Sequence, residues 1–449
     1  MKRREFIKIS GAAAMAAACA PKDARSVSGM TQEEGPEEML MRENPKNGDR
    51  ISALGFGCMR WPMIKDADGK DIIDQEAVNE MVDYAIEHGI NYFDTSPAYL
   101  QGQSEKAAGI ALSRHPRDSY YIATKLSNFG DASAEASLQM YKDSFKQLKT
   151  DYFDYYLLHA IGRGGKDAFE QRYVNNGLVP FLLEEKNAGR IRNLGFSFHG
   201  AKHEFDYFME LHDSGQLVWD FVQIEMNYVD WKHADGVRNV NADYLYAELD
   251  KRGLPIVIME PLLGGRLARV PEGISRQMKE REPDKSVASW AFRFCGSYPR
   301  VLCVLSGMTN MDPLKENVET FGHFKPLTEE ELEFLEHMAT QMMDYPLVNC
   351  TDCKYCMPCP WGIDIPGTFQ HYNRAITDGT YAQSTAQKDY AKLKRAYLVS
   401  YDRAVATVRQ ADHCIACGEC LSHCPQSIAI PAQLRRIAKY IDNLKQDKL

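Results

Sequence analysis

No apolar run in this chain approaches the length needed to cross a bilayer as a helix. Basic residues are in deficit: 53 Lys and Arg stand against 62 Asp and Glu, a formal charge of −9. With no basic face and no interleaving of aromatic and basic residues, that balance argues against a nucleic-acid partner. No repeat of solenoid length is visible. No G-x-G-x-x-G opens the first strand–helix unit, which speaks against a doubly wound dinucleotide fold. No flavin fingerprint is present either. Cysteine is scarce along most of the chain: only Cys19, Cys58, Cys295 and Cys303 precede Cys350.

The other eight cysteines fall in two runs, Cys350, Cys353, Cys356, Cys359 and Cys414, Cys417, Cys420, Cys424, and both runs end in Cys-Pro. Thiolates spaced by two residues converge on one face of a tight loop, which suits a four-iron cluster. The fourth cysteine of such a run commonly reaches across to a second cluster. The expected sets are therefore Cys350, Cys353, Cys356 with Cys424, and Cys414, Cys417, Cys420 with Cys359. The last gap of the first run, Met357-Pro358, is one residue shorter than in the usual bacterial run. Zinc also uses CxxC pairs, but rarely needs four thiolates in one run before a proline. Disulfides suit small secreted scaffolds, and this chain is long enough for a core without them. Cys58, Cys295 and Cys303 read as small core hydrophobes.

The N-terminus, Lys2-Arg3-Arg4-Glu5-Phe6-Ile7-Lys8, precedes a weakly apolar, alanine-rich stretch from Ile9 to Ala18. A twin arginine before a short apolar region reads as a Tat export signal. Such a route agrees with the clusters, because iron and sulfide are inserted before a folded protein crosses. The expected location is the periplasm, or the outer side of the cytoplasmic membrane. Ala16-Ala17-Ala18-Cys19 loosely matches a lipobox and makes Cys19 a candidate for lipid attachment.

The expected organisation is a signal segment at 1–20, a polar linker at 21–48, a barrel at 49–322, a linking helix at 323–347 and a cluster domain at 348–449. Strands are predicted at Ala53–Phe56, Asn91–Phe93, Tyr120–Thr124, Tyr152–Leu158, Ile191–Phe196, Phe221–Gln223, Ile256–Met259 and Val301–Leu305, with amphipathic segments such as Gln75–Glu87 between them. Eight strands with helical crossovers predict an α/β chain built as a (β/α)₈ TIM barrel. The pattern Thr328–Met343 reads as a helix capped by Thr328. The long helical stretch between the cysteine runs predicts a small, mainly helical ferredoxin-like domain.

Barrel enzymes carry their chemistry at C-terminal strand ends. Those ends supply Asp94 and Tyr99, Lys125, and His159, in the contexts NYFDTSPAY, YIATKL and YYLLHA. Together with the entry ISALGFGCMR and the signal Gly102-Gln103-Ser104-Glu105, they resemble the aldo-keto reductase family over roughly Arg50 to Val318. The resemblance implies an Asp-Tyr-Lys-His tetrad that interconverts a carbonyl and an alcohol. Tyr99 is the expected general acid or base, and His159 the group that holds the carbonyl oxygen. Lys125, paired with Asp94, is expected to lower the tyrosine's pKa.

The same resemblance implies cofactor contacts at Ser197, Gln223, Met259, Pro261, Leu262, Ser306, Glu316 and Asn317. Phe198 stands where the family has an asparagine, and Met259 where an aromatic ring usually stacks on nicotinamide. Gly307 and Pro313 occupy the places of the Lys and Arg that bind a 2′-phosphate, so NAD is slightly favoured over NADP. Lys315 and Arg266 are the residues able to compensate. Expected partners are a small carbonyl or alcohol substrate and a redox protein. Two other readings stay open: a non-catalytic barrel serving electron transfer or scaffolding, and a net isomerase or lyase that recycles tightly bound NAD. The substrate loops Ile161–Asn176 and Asn227–Asn241 carry no diagnostic cluster, and Arg60, His199 and Trp231 are pocket candidates.

Overall fold

The computed structural model describes residues 38–234 and 239–449. The expected export signal, Cys19 and most of the expected linker lie outside the described residues. Within them, strand β1 (Met41–Glu43) pairs antiparallel with β2 (Arg50–Ser52). This hairpin falls partly inside the stretch expected to be linker. It is ordered because Met39 is buried in the main core and the Asn44 amide donates to the Tyr155 hydroxyl at 3.0 Å. The hairpin thereby closes the bottom of the barrel, where Tyr155 lies early in its strand.

The barrel strands are β3 (Leu54–Gly57), β6 (Tyr92–Asp94), β7 (Tyr121–Leu126), β8 (Phe153–Ile161), β9 (Ile191–Phe198), β10 (Phe221–Glu225), β11 (Ile256–Met259) and β12 (Val301–Ser306). They close as β3-β6-β7-β8-β9-β10-β11-β12, each parallel to its neighbour. A short exposed hairpin, β4 (Met63–Lys65) with β5 (Asp71–Ile73), follows the first barrel strand. The helix Gln75–Glu87 starts on Asp74, whose carboxylate accepts from Ala77 N. The helix Glu329–Met343 starts on a capping box between Thr328 and Glu331 and buries Leu335, Met338, Ala339 and Met342 against the barrel.

From Val348 onward the chain builds a second core from the helices Ile365–Thr377, Tyr390–Ala404 and Ile430–Lys445. Its interior is rich in tyrosine, with Tyr372, Tyr397, Tyr401 and Tyr440 buried together. The two cysteine runs are copies of one device. Asp352 and Lys354 flank Cys353 at positive φ, and Ala416 and Gly418 flank Cys417 in the same way. That alternation turns successive amides toward one side of the loop. Each run continues as Cys-Pro-x-x-Ile-x-Ile-Pro, through Cys359–Pro366 and Cys424–Pro431, and the second proline opens a helix in both copies. This short repeat escapes a search for solenoid periods.

Candidate functional site

Side chains alternate in and out along each barrel strand. Tyr92, Ala123, Leu157, Phe221 and Val257 fill the interior, so the inward positions two residues further along are Asp94, Lys125, His159, Gln223 and Met259. A register shift between Leu158 and Ile161, with Ala160 at φ 49°, bulges β8 just beyond His159. Tyr99 arrives from the turn after β6, where Leu100 and Gln101 both take positive φ.

The structure brings the four together. Lys125 Nζ donates to Asp94 Oδ1 at 2.5 Å and to the Thr95 carbonyl at 2.8 Å, and lies 4.8 Å from the centre of the Tyr99 ring. The ammonium is wholly buried. Burial pushes Asp94 up and Lys125 down, and each opposes the other's shift as its ion-pair partner. His159 packs edge-on to Tyr99 with ring centres 5.8 Å apart. Its Nδ1 meets Ser127 Oγ at 2.5 Å. Accepting there leaves the other ring nitrogen free to donate into the pocket. Burial, reinforced by Lys125 and Arg172, holds His159 well below the usual histidine range, so it is neutral near pH 7.

One expectation is corrected. Tyr99 is not made more acidic by Lys125. Burial, then the charge of Asp94, hold its phenol well above the ordinary value, because the lysine's charge is already taken by Asp94. The tyrosine therefore waits as a protonated acid.

The predicted cofactor positions divide into two ends. At the catalytic end, Ser197 Oγ accepts from Ala160 N at 2.8 Å and keeps its own hydrogen to donate. Gln223 donates one N–H to Asp94 Oδ2 at 3.1 Å and keeps its carbonyl oxygen as an acceptor. That pair of donor and acceptor fits a carboxamide, so the residues present suit the reactive end of a nicotinamide. Met259 is half-buried beside them, while Phe198 packs on Phe205 at 5.1 Å.

At the far end Asn317 donates to Ser306 at 3.0 Å, both buried, and Glu316 is exposed. Between the two ends runs the loop that holds Pro261 and Leu262. Its backbone takes positive φ at Glu260, Leu263, Gly264 and Gly265. Gly264 N donates to Glu260 Oε2 at 2.6 Å, and a methyl group on Gly264 would come within 2.3 Å of Thr351 Cα. The cluster module thus sits on this loop.

The same module reaches the tetrad. Tyr355, between Cys353 and Cys356, lies 6.5 Å from the His159 ring and 6.3 Å from Phe129, itself 5.0 Å from His159. Arg60 binds the Thr351 carbonyl and pairs with Asp352 at 3.7 Å. Gln426 donates to Glu225 at 2.6 Å, and Arg266 to Asn349 at 2.8 Å. Of the three pocket candidates, Arg60 and His199 face the module. Trp231 does not: it packs among Tyr298, Phe294 and Tyr246 in the outer helical layer. Tyr355, Phe129 and Arg163 escaped the sequence reading. The barrel motifs point only to barrel residues, and nothing in the cysteine run says which surface its middle residue meets.

The eight thiols gather in two groups. One cavity is lined by Cys350, Cys353, Cys356 and Cys424, and another by Cys356, Cys359, Cys414, Cys417 and Cys420. Among the described residues no three Cys, His, Asp or Glu side chains close to the spacing of a single ion. The sulfurs surround a larger space, which fits a cluster rather than one zinc.

A closed parallel barrel with an ion-paired lysine, a tyrosine and a neutral histidine at its C-terminal mouth defines an oxidoreductase of the carbonyl-reducing type. The chain belongs to the aldo/keto reductase family, which it matches over residues 53–339, and it carries a 4Fe-4S dicluster domain over residues 349–429. It is 24% identical over 321 residues to the uncharacterized oxidoreductase YqkF of Bacillus subtilis, across 65% of this chain and 94% of that one. It is 27% identical over 306 residues to the L-galactose dehydrogenase of Arabidopsis thaliana, across 64% and 89% respectively. The holo form of the aldo-keto reductase AKR11C1 from Bacillus halodurans shares the fold, with a TM-score of 0.53, 24% identity, and coverage of 67% of this chain and 96% of that one.

Proposed function

We propose that this protein interconverts a carbonyl and an alcohol with NAD(P)(H), and that two 4Fe–4S clusters relay electrons or hold the structure. The reading rests on the buried Lys125–Asp94 pair beneath a protonated Tyr99, beside a neutral His159. A bound nicotinamide supplies or accepts the hydride. His159 donates to the carbonyl oxygen and fixes its position. As negative charge grows on that oxygen, Tyr99 gives up its proton to it, with Lys125 Nζ 4.8 Å from the centre of the tyrosine ring. In the oxidative direction the Tyr99 phenolate takes the alcohol's proton.

Two observations favour NAD. Lys315 extends over the Tyr84 ring and Arg266 is bound to Asn349, so both of the cations able to meet a 2′-phosphate are engaged elsewhere. Thermal-shift titration with NADH against NADPH tests this, and strong selectivity for NADPH reverses it. L-galactose is the first substrate to try, given the relative named for it. Tyr99→Phe is expected to abolish turnover with NADH binding near normal; retained turnover refutes the assignment.

Export by the Tat route, with lipid at Cys19, belongs to the same proposal and rests on the N-terminal sequence. Fractionation of cells expressing the full chain, with mass spectrometry of the mature N-terminus, tests it. An intact start in the cytoplasm defeats it. The seating of Thr351 on Gly264 favours a second reading, in which the dinucleotide is held and recycled to give a net isomerase or lyase. Product formation without added nicotinamide separates the two.

A further inference from the structure

The inner thiol group, Cys350, Cys353, Cys356 and Cys424, lies against the barrel, and three barrel cations stand near it: Arg60 is paired with Asp352, Arg266 is bound to Asn349, and Arg163 stands on the Cys424 side. Arg163 follows His159 by four residues, in the loop after β8. Its Nη2 donates to the Ser422 carbonyl at 2.5 Å, two residues before Cys424, and its guanidinium lies 6.0 Å from the Phe129 ring that packs on His159. Arg163 and Cys424 line one open cavity between the barrel loops and the module. No carboxylate pairs with Arg163 among the described residues. The nearby acid Glu225 is held by burial well above the usual carboxylate range. The outer group differs: its cavity is lined by no arginine or lysine and includes Glu419.

Reduction adds one negative charge to a cluster already bound by four thiolates. Burial disfavours that charge, and a nearby fixed cation favours it. We infer that Arg163 is a barrel charge on the inner cluster, favouring its reduced state and so drawing an electron from the outer cluster to the side that faces His159. One electron leaves the outer cluster and one enters the inner; no bond changes and no proton moves. The electron comes from a one-electron donor, for which dithionite serves in the test. This inference rests on the dicluster reading but goes beyond it, because that reading gives the two clusters no order.

The full chain, purified anaerobically, is analysed for iron and sulfide and then titrated with dithionite, with the reduced clusters followed by electron paramagnetic resonance. The signal that survives in Cys417→Ser identifies the inner cluster. In Arg163→Gln the inner midpoint is expected to move to more negative potential while the outer one stays, and Arg163→Lys is expected to move it less. Ser422→Asp, at an exposed position, sets a carboxylate beside the guanidinium and is expected to shift the inner midpoint in the same direction. Where Arg163→Gln does not retain the inner cluster, Ser422→Asp decides alone. Midpoints that stay put in the variants, with both clusters present, overturn the inference. Absence of iron from the wild-type protein removes the dicluster reading, and the inference with it.

Discussion

The two cysteine groups are built on one repeat, yet equivalent positions around them meet different surroundings. After the first cysteine of each run stand Thr351 and Ile415: Thr351 is 2% exposed against Gly264, and Ile415 is 57% exposed. Between the second and third cysteines stand Tyr355, turned to His159, and Glu419, which is exposed. Two residues after each reaching cysteine stand Gln426, 8% exposed and bound to Glu225, and Trp361, 54% exposed. The inner copy has exchanged its solvent-facing residues for a seam with the barrel. A cluster module attached for electron transfer alone needs no such seam. Here Tyr355 of the inner run lies 6.5 Å from the His159 ring, and the outer run holds the one exposed cysteine of the eight, Cys417.

The largest expected effect comes from removing the groups one at a time. Cys353→Ser takes away an inner ligand two residues from Tyr355 and releases the loop that holds it against His159. A catalytic pocket displaced by about 1 Å loses roughly a hundredfold in rate, and a fall of that order in kcat is expected. Cys417→Ser, at the exposed outer group, is expected to cost severalfold at most. Equal losses in the two variants would show that the clusters act only as one structural unit.

The seam itself can be strained with little change in chemistry. Gly264→Ala places a methyl group into Thr351 at a backbone φ of 69°. Gly265→Ala meets nothing within 4 Å at a φ of 93° and serves as the control. Left-handed strain alone costs about 1–2 kcal/mol, and the collision adds about 1–3 kcal/mol of overpacking. Chemical denaturation is expected to show Gly264→Ala as clearly the weaker protein. Equal stability of the two variants would mean that Thr351 moves aside freely.

Tyr355→Ala is expected to raise KM for a test aldehyde by about tenfold, the worth of one well-placed aromatic contact, with both clusters retained. Tyr355→Phe is expected to recover most of the loss. An unchanged KM in the alanine variant would place the substrate elsewhere.

Much of this was legible in the sequence, for physical reasons. Inward strand positions repeat every second residue, so apolar runs ending in Asp94, Lys125 and His159 announce both the barrel and the convergence of those side chains. The predicted strands stopped short at Leu158, Phe196 and Gln223, whereas the ladders continue to Ile161, Phe198 and Glu225. Those extensions carry the polar residues His159, Ser197 and Glu225 toward the mouth, β8 with a register shift between Leu158 and Ile161. The hairpin of β1 and β2 was hidden by its charged composition, since its order comes from Met39 and from a tyrosine more than a hundred residues away. The seam was illegible for a similar reason. Thr351, Tyr355 and Gln426 gain meaning only from loops on another domain, and local spacing carries no record of that meeting. Tyr99's acidity was misjudged because a sequence shows a neighbouring lysine but not that Asp94 has already taken its charge.

The smallest expected effect lies at Gln426 and Glu225. Burial holds the Glu225 carboxyl well above the usual range, and Asp230 and Glu260 add to that, while the bond from Gln426 works against it. His199, held neutral by burial with a pKa of about 3, lies 3.4 Å away and offers no counter-charge. The unfolded carboxyl titrates near 4.3. Above that pH the folded state holds the proton that the unfolded state has lost. Stability from this group is therefore complete below the unfolded pKa and falls as pH rises through the window up to the folded value. Glu225→Gln keeps an amide hydrogen bond to Gln426 and has nothing to titrate. It is expected to flatten the decline of stability with pH by about 1 kcal/mol between pH 5 and 8. A repulsion relieved at the inner seam should leave the outer group untouched, so the outer cluster's signal should be the same in both proteins across that range. An unchanged pH slope would show that Glu225 is ionised in the folded protein, with Gln426 as a charge-assisted rather than a neutral partner.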